Sequence, residues 1–442
     1  MRVRTFFLFV SPLLVGASVF ALTRVLPRFG REHAYWDDGV ADQVRDIVAT
    51  QYVDPLGDRR SRELFDAAMR GYVGELDSFS RFVTAEERRD LDEDTSGSFA
   101  GVGVQVRVVA AGLLVTGIYE DGPADVAGLL PGDVVTRVDD TEVAGLGLTE
   151  TIDRVKGPEG TTVVLWTVRD DHPPQPIEVR RALVDLDTVP AVRLVPGATA
   201  LAYVRISQFS DTTPKEVAER LGRLVETEGA QGIVLDLRGN LGGLVTAAVR
   251  VASLFLPPES VVCVTRGRRS ARPHTVPAEA SERLREAPFT QPLVVLVDED
   301  SASASEILAG ALQDHGRAVL VGERTYGKFL VQSLAELEGT DALLKLTTSR
   351  YETPRGRSGQ RDDARRIRGG ILPDVRVPLE DTQRAAVFLA FSQQAGPRWK
   401  VMEGREGDAG DADRQLRTAV DLLRGVDPPA EPLPPRRRTE RG

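Results

Sequence analysis

Ser303, Lys328 and Gln332, three polar residues within the segment 301–332, have the types and spacing needed for acyl-transfer chemistry. A serine hydroxyl becomes an effective nucleophile when an adjacent base takes its proton; histidine is the common base, and a neutral lysine can replace it. His315 follows Ser303 by twelve residues, which on a helix is about 18 Å along the axis. Lys328 follows a predicted strand, Ala318–Gly322, and a turn, so it can return to the sheet edge where Ser303 lies.

Lys328 can act as a base only if its pKa is lowered. An ordinary lysine, with a pKa of ~10.4, is almost fully protonated at neutral pH, whereas burial in an apolar pocket lowers that pKa by several units. Tyr326 and Phe329 supply apolar surface; the alternative is a solvated surface lysine. Gln332 follows Lys328 by four residues. A helix-like turn would bring the amide to the amine, whereas a straight strand would separate the two residues by ~13 Å.

The elements around Ser303 are predicted to place it between a strand and a helix. Apolar residues Leu293–Val297 predict the strand, and a helix with one apolar face follows from Ala304. With Glu306 three residues on, Ser303 fits the S-x-x-E capping box, which is purely structural. The same junction is also where a nucleophile can meet the free amides of a helix. Position alone leaves both interpretations open.

The glycine-rich segment "VLDLRGNLGG", residues 234–243, is predicted to end a second strand and open a second helix. Free backbone amides at such a turn can receive negative charge or can simply cap the helix. As an isolated motif it favours neither role.

Taken together, "SASASEILAGALQD" and "GERTYGKFLVQ" resemble the core of the carboxy-terminal processing (tail-specific) proteases, serine endopeptidases with a serine–lysine dyad. The resemblance implies that Ser303 is the nucleophile, that Lys328, 25 residues later, is the base, and that Gln332 positions the lysine. It also implies an oxyanion hole formed by the amide of Ala304 with that of Gly242 or Gly243. The resemblance extends over residues 40–425, through the further motifs "LDSFSRFVT", "SGSFAGVGV", "RYETPRGRS" and "GILPD".

Two positions differ from the family pattern of Gly-Lys-Gly and Asn-Pro-Gly-Gly. Phe329 follows the lysine, and Leu241 stands between Asn240 and Gly242. Phe329 could crowd the pocket or help to dry it. Neither change removes a reacting group.

A recognition module is indicated by "GVGV", residues Gly101 to Val104, which precedes a β-branched strand. With "GPADVAGLLPGDVVTRVDD" it is similar to a PDZ domain, which implies that Gly101, Val102, Gly103 and Val104 bind a peptide that adds a strand to the sheet edge. The alternative is a β-module whose glycines only form turns.

The element pattern predicts a multidomain α+β fold with a helical N-terminal segment, a β-rich module and an α/β layer. The resemblance implies that the α/β layer is a ClpP/crotonase-like protease core and that the β-rich module is an inserted PDZ domain. Six regions are expected along the chain: a signal or anchor (1–28), a helical region (29–96), the PDZ domain (97–182), the protease core (183–382), a C-terminal helical region (383–425) and a disordered tail (426–442).

The N-terminus predicts export. Arg2 and Arg4 precede the apolar run from Phe6 to Leu22, which is short for a spanning helix and long for a signal-peptide core, so an uncleaved anchor and a cleaved signal both remain open. The positive-inside rule then places the rest of the chain in the extracytoplasmic cell envelope.

Composition limits the partners and cofactors. The net charge is −10, and acidic and basic residues are interleaved along the 442 residues, which argues against a nucleic-acid partner. Cys263 is the sole cysteine and the four histidines are scattered, so neither a metal nor another cofactor is expected. The expected partners are proteins or peptides with exposed apolar C-termini, the membrane through the N-terminal segment, and further copies of the chain in a possible oligomer.

Three rival functions remain. A serine–histidine enzyme would use His315, a PDZ adaptor would carry a silent protease-like domain blocked by Phe329, and an acyl-thioester enzyme could use the same glycine-rich loop.

Overall fold

A computed structural model describes residues 39–146, 148–169, 172–185, 187–195, 200–268, 274–277, 289–362, 365–393, 399–401 and 412–426. The chain divides into two compact units, residues 1–68 and 69–442. The expected anchor at Phe6–Leu22 and all of the expected tail beyond residue 426 lie outside the described residues. Among the helices that are described, none combines the length and apolar character needed to cross a membrane.

The first unit is helical where it is described, as the spacing of its apolar residues predicts. Helix α1 spans Val40–Gln51, and helix α2, Asp58–Gly74, begins in this unit and continues into the second. Exposed ion pairs, such as Arg59 with Glu63 one turn later, lie along these helices; water screens such pairs, so they contribute little to helix stability.

The second unit opens with strand β1 (Arg81–Val83) and helix α3 (Ala85–Ser96). Thr84 begins α3 with a complete capping box: its hydroxyl accepts a hydrogen bond from the Glu87 amide at 3.3 Å, and its own amide donates to the Glu87 carboxylate at 2.9 Å. The sequence "TAEE" therefore fixes where the helix starts.

A β-rich module follows. Its elements are β2 (Ser98–Gly101), β3 (Val104–Val109), β4 (Gly112–Tyr119), α4 (Pro123–Val126), β5 (Val134–Val138), β6 (Thr141–Glu142), α5 (Leu148–Val155), β7 (Thr162–Val168), β8 (Gln175–Arg180) and β9 (Ala182–Asp185). Strands β3 to β8 form one antiparallel sheet around a buried cluster that includes Val115, Ile118 and Leu165. Strand β2 pairs separately with β9.

The remaining elements build the core and the C-terminal region. They are β10 (Ala191–Leu194), β11 (Leu201–Arg205), α6 (Thr213–Glu226), β12 (Gly232–Asp236), α7 (Val245–Ala252), β13 (Val261–Gly267), β14 (His274–Pro277), β15 (Leu293–Val297), α8 (Ala304–Asp314), β16 (Ala318–Gly322), β17 (Leu330–Glu336), β18 (Leu343–Glu352), β19 (Val375–Arg376), α9 (Asp381–Gln393), β20 (Trp399–Val401) and α10 (Arg414–Leu423). Strands β15 and β16 have the predicted bounds.

The central sheet has the order β10-β11-β12-β15-β16-β19 and is parallel except at β10. Alternate strand residues face opposite sides: Leu235 and Val295 pack in the cluster that contains α6, α7 and α8, whereas Val234 and Val294 pack with α10. Burial on both faces explains why these strands are continuous apolar runs. The predicted combination of an α/β core with a β-rich module is confirmed.

A second antiparallel sheet, β1-β18-β13-β14 with β17 on β18, lies beside the core. The chain also returns to the β-rich module near its end, because β20 pairs with β4. Helix α8 and strands β17 and β18 are the elements that position the site described next.

Candidate active site

Ser303 lies at the junction between β15 and α8 and is buried, with 9% of its surface exposed. Its backbone has φ 56° and ψ −111°, a region that residues other than glycine rarely adopt and that costs about 1–3 kcal/mol. The Asp298 carboxylate holds the preceding turn by accepting the amides of Gly239 (3.0 Å), Asp300 (3.1 Å) and Ser301 (3.0 Å). The predicted strand-turn-helix placement is therefore present, with strain at the serine.

The glycine-rich loop lies directly against this junction. A Cβ added to Gly242 would be 2.9 Å from Ser303 Cβ and 3.1 Å from the Ala304 nitrogen, so only glycine allows this approach. The Gly242 amide, however, donates to Asn240 Oδ1 at 2.8 Å. Gly243 forms a parallel bridge with Phe209, in which its own N–H points away from Phe209. Of the two candidate glycine donors, Gly242 already has an acceptor for its amide, whereas the Gly243 amide is not used by Phe209.

Glu306 joins the two candidate reacting residues through their backbones. Its fully buried carboxylate accepts hydrogen bonds on Oε2 from the amides of Ser303 (2.9 Å) and Lys328 (2.8 Å). Oε1 accepts the Gly327 amide (2.8 Å) and the Thr325 hydroxyl (2.6 Å). Desolvation raises the pKa of Glu306, while these four donors act against that rise. The capping residue predicted from sequence therefore also fixes Lys328.

Tyr351 provides a second link between the same two residues. Its hydroxyl lies 3.0 Å from the Ser303 carbonyl oxygen and 3.0 Å from that of Lys328, and it can donate to either. Its ring stacks on Phe329 with centroids 4.5 Å apart. Phe329 is fully buried, and its ring packs where Gly359 has no side chain. Phe329 is therefore part of the floor under the site and does not block the cleft, which removes the basis for the silent-adaptor hypothesis.

The Lys328 side chain is half-buried, and its Nζ lies 4.7 Å from the centroid of the Phe79 ring. Burial lowers the pKa of Lys328, the like charge of Lys345 lowers it further, and the Glu306 carboxylate partly opposes both effects. Within the described residues, Nζ forms no hydrogen bond with Ser303 Oγ or with Gln332. The structure thus brings the backbones of Ser303 and Lys328 together, while the Lys328 ammonium lies over the Phe79 ring.

Gln332 lies on strand β17, so the extended alternative is the one observed. Its Nε2 donates to Thr347 Oγ1 at 3.3 Å, and that hydroxyl donates in turn to Asp77 Oδ1 at 3.2 Å. Asp77 and Phe79 belong to one short loop, residues 77–80, whose backbone amides are held by the Asp77 carboxylate.

His315 ends helix α8, at the end opposite Ser303. It is exposed, and its Nε2 hydrogen-bonds the Val261 carbonyl at 2.8 Å. The serine–histidine alternative built on His315 is therefore wrong in this fold. Within the described ranges, no cluster of three or more histidine, cysteine, aspartate or glutamate side chains is arranged to hold a metal.

The predicted peptide-binding residues Gly101 to Val104 lie together along a cavity of about 500 Å³, opposite Ile152 and Val155 of helix α5. Leu241, the second departure from the expected pattern, is 71% exposed and projects away from the packed loop. It leaves the approach of Gly242 to Ser303 intact.

Sequence reasoning missed the structural part played by Glu306, Tyr351 and Phe79. Glu306 was visible only as a capping residue, and Tyr351 and Phe79 lie within the quoted motifs "RYETPRGRS" and "LDSFSRFVT". Tyr351 reaches the site through β18, and this pairing between distant segments leaves no local signal.

The core places a buried serine at the start of a helix, beside a glycine loop and a desolvated lysine, and the β-rich module carries a groove large enough for a peptide. These features are typical of a serine hydrolase with a recognition domain. Comparisons with known proteins narrow this class. Residues 200–377 match the model of peptidase family S41, and residues 114–169 match a PDZ domain.

Curated relatives agree over nearly the whole chain. A carboxy-terminal-processing protease of Bartonella bacilliformis is 32% identical over 96% of each chain, and a carboxyl-terminal-processing protease of Synechocystis is 34% identical over 96% of this chain and 94% of the relative. Among solved structures, the photosystem II D1 C-terminal processing protease is 28% identical, covers 78% of this chain and 88% of its own, and has a TM-score of 0.43. The chain belongs to peptidase family S41, as a carboxy-terminal processing serine protease with a PDZ domain that acts on proteins or peptides.

Proposed function

We propose that Ser303 and Lys328 hydrolyse the peptide bond as a catalytic dyad. The neutral Nζ of Lys328 takes the Ser303 Oγ proton as Oγ attacks the carbonyl carbon, and the resulting ammonium gives that proton to the leaving amine. Water then attacks the acyl-enzyme by the same route. The amides of Gly243 and Ala304 receive the negative charge on the carbonyl oxygen. The observation that carries this proposal is that Glu306 and Tyr351 each bind the backbones of both residues.

We propose that rotation of the Lys328 side chain carries Nζ from the Phe79 ring to Ser303 Oγ. Both backbones are already fixed, and the ammonium lies on Phe79 without a hydrogen bond that would have to break among the described residues. We assign Gln332 the role of receiving this ammonium. Because the chain is extended here, the long Lys328 side chain must turn along the strand to reach it. Gln332 lies on β17, at the irregular pairing between Val331 and Gln332. Its NH₂ group is used by Thr347, which leaves its amide oxygen free to accept from Nζ without adding charge.

The PDZ domain is proposed to select substrates by exposed, apolar C-terminal tails, which would add a strand beside β3 and place the terminal carboxylate near Gly101 to Val104. Export by the N-terminal segment, with the enzyme tethered to or released from the membrane in the cell envelope, completes the proposal. Ile152 and Val155 supply the apolar wall that such a tail needs.

The test is cleavage of a peptide with an apolar C-terminal tail, in the presence of a chelator, with products identified by mass spectrometry. Internal cleavage by the wild-type enzyme and by His315→Ala, and intact peptide with Ser303→Ala, are expected. A peptide that binds and is recovered intact from the wild-type enzyme would instead establish an adaptor.

The pH dependence of cleavage is expected to report on Lys328. Because burial and Lys345 lower the pKa of Lys328 from 10.5, and because only the neutral amine acts as a base, kcat/KM should rise with pH and level off above that lowered pKa. Lys345→Gln removes the like charge, so the pKa of Lys328 rises and the ascending limb moves to higher pH. The measurement is the profile of kcat/KM for both proteins; a limb that stays in place or moves to lower pH would contradict this assignment.

A further inference from the structure

The cavity beside the PDZ domain has a second wall that comes from the protease core. One wall consists of residues 101–106 with Ile152 and Val155, and the other of Pro190, Arg205, Ser207 and Phe391. A peptide that enters this cavity of about 500 Å³ would therefore touch both domains at once.

Arg205, the last residue of β11, is buried to more than nine-tenths, with 8% of its surface exposed. Its Nε is buried and has no hydrogen-bond partner in the part of the chain that is described. Its guanidinium lies over the Phe391 ring at 4.0 Å. Burial lowers the pKa of Arg205, which reflects the cost of keeping a cation away from water. A buried cation without an acceptor is rare in folded proteins.

The carboxylate beside Arg205 in the sheet does not serve it. Asp236 is aligned with Arg205 across β11 and β12, but its oxygens accept the Tyr203 hydroxyl at 2.8 Å and the Arg238 guanidinium at 2.6 Å. The Asp236 carboxylate therefore acts on Arg205 only through space.

The other charged groups that line the cavity have partners. Lys156 pairs with Glu93 at 2.8 Å, and Asp187 pairs through Oδ1 with Arg220 at 2.7 Å, while its Oδ2 has no hydrogen-bond partner in the described part of the chain. Among the described side chains that line the cavity, Arg205 is thus the cation whose charge is not matched by an ion pair. An anionic group entering the cavity would balance it.

We propose that Arg205 binds the terminal carboxylate of the substrate tail, so that the tail links the PDZ domain to the protease core. The ligand class is a peptide with a free, apolar C-terminus; the apolar residue packs on Ile152 and Val155 while its carboxylate reaches the guanidinium. This inference rests on the proposed tail recognition and adds a charged residue from outside the PDZ domain to it.

The position of Arg205 also connects the tail to the catalytic loop. The next residue, Ile206, accepts a hydrogen bond through its carbonyl from Asn240 Nδ2 at 2.9 Å. Asn240 holds the Gly242 amide and, through its own carbonyl, the Ala302 amide at 3.0 Å and the Ser305 hydroxyl at 2.9 Å. Ala302 and Ser305 flank Ser303. Arg205, which would bind the carboxylate, therefore directly precedes a residue that is hydrogen-bonded to the loop supporting the nucleophile.

The test compares two fluorescent peptides with the same apolar tail, one ending in a free carboxylate and the other in a primary amide. Binding is measured by anisotropy to Ser303→Ala protein, with and without Arg205→Met. We expect Arg205→Met to weaken binding of the peptide with the free carboxylate by about 30-fold or more, as for loss of one partner of a buried charge pair. Binding of the peptide that ends in an amide should be unchanged. Arg205→Lys should keep part of the preference for the acid.

Arg223→Met, at an exposed position on α6, is the matched control for the loss of one positive charge, and thermal unfolding checks that each variant is folded. Equal weakening of acid and amide, a preference for the acid that survives Arg205→Met, or no binding of either peptide would overturn the proposal. Because this assay involves no hydrolysis, such a failure is distinct from a failure of the dyad, which the cleavage assay detects.

Discussion

Lys328→Ala is expected to lower kcat for tailed peptides by about 10²–10⁴-fold, the range for loss of a general base. Ser303→Ala should lower kcat at least as far, because the neighbouring hydroxyls of Ser301 and Ser305 are fully buried and donate to the carbonyls of Leu237 and Asn240. The two residues act as one unit, so the double variant should be no slower than Ser303→Ala alone. Initial rates for the three variants and the wild type, at saturating peptide, provide the measurement.

Lys215→Ala is the matched control for Lys328→Ala, because Lys215 lies exposed on α6 and should change kcat little. Far-ultraviolet circular dichroism and thermal unfolding establish that each variant is folded. Retention of more than about one-tenth of the wild-type kcat in Lys328→Ala would be incompatible with a general base. A double variant much slower than either single variant would show that the residues act independently.

The parts of the fold that could be predicted from sequence are those determined by local pattern. Leu293–Val297 is apolar on every residue because the sheet is covered on both faces there. Ala318–Gly322 is also apolar throughout, although Val319 is 39% exposed, and the structure reproduces the bounds of both strands. Ser303 could be placed because a strand, a turn and an apolar helical face follow one another directly in the chain. Family membership was also predictable, since the motifs around Ser303 and Lys328 are contiguous.

The features that could not be predicted depend on contacts between distant segments. In the sequence Arg205 is an ordinary strand-end residue, and its role depends on contact with Phe391 and on the PDZ residues that line the same cavity. Tyr351 reaches Ser303 only because β18 pairs with β17. Whether Gln332 faced Lys328 depended on the strand pairing as well, and periodicity could not decide between a turn and a strand. The orientation of the Lys328 ammonium toward Phe79 follows from the loop at residues 77–80, which lies far away in sequence.

Glu306→Gln is expected to reduce kcat by about 10²-fold, the effect typical of lost positioning or of one lost hydrogen bond at the reacting centre. The carboxylate accepts two donors on each oxygen, whereas a glutamine amide would turn its NH₂ group toward two of them. At least one buried amide of Ser303, Gly327 or Lys328 would then lack an acceptor, which costs about 1–3 kcal/mol of folding stability. Both kcat and the free energy of unfolding are measured, with Glu219→Gln on the exposed face of α6 as the control.

The pH profile separates a positioning role of Glu306 from a purely structural one. The Glu306 carboxylate raises the pKa of Lys328, in opposition to burial and to Lys345. Its neutralisation in Glu306→Gln should therefore lower that pKa and move the ascending limb of kcat/KM to lower pH, in the direction opposite to Lys345→Gln. A variant that is merely less stable would lose activity at every pH with the limb in its original place. That result, or a limb that moves to higher pH, would mean that Glu306 does not act on the dyad through its charge.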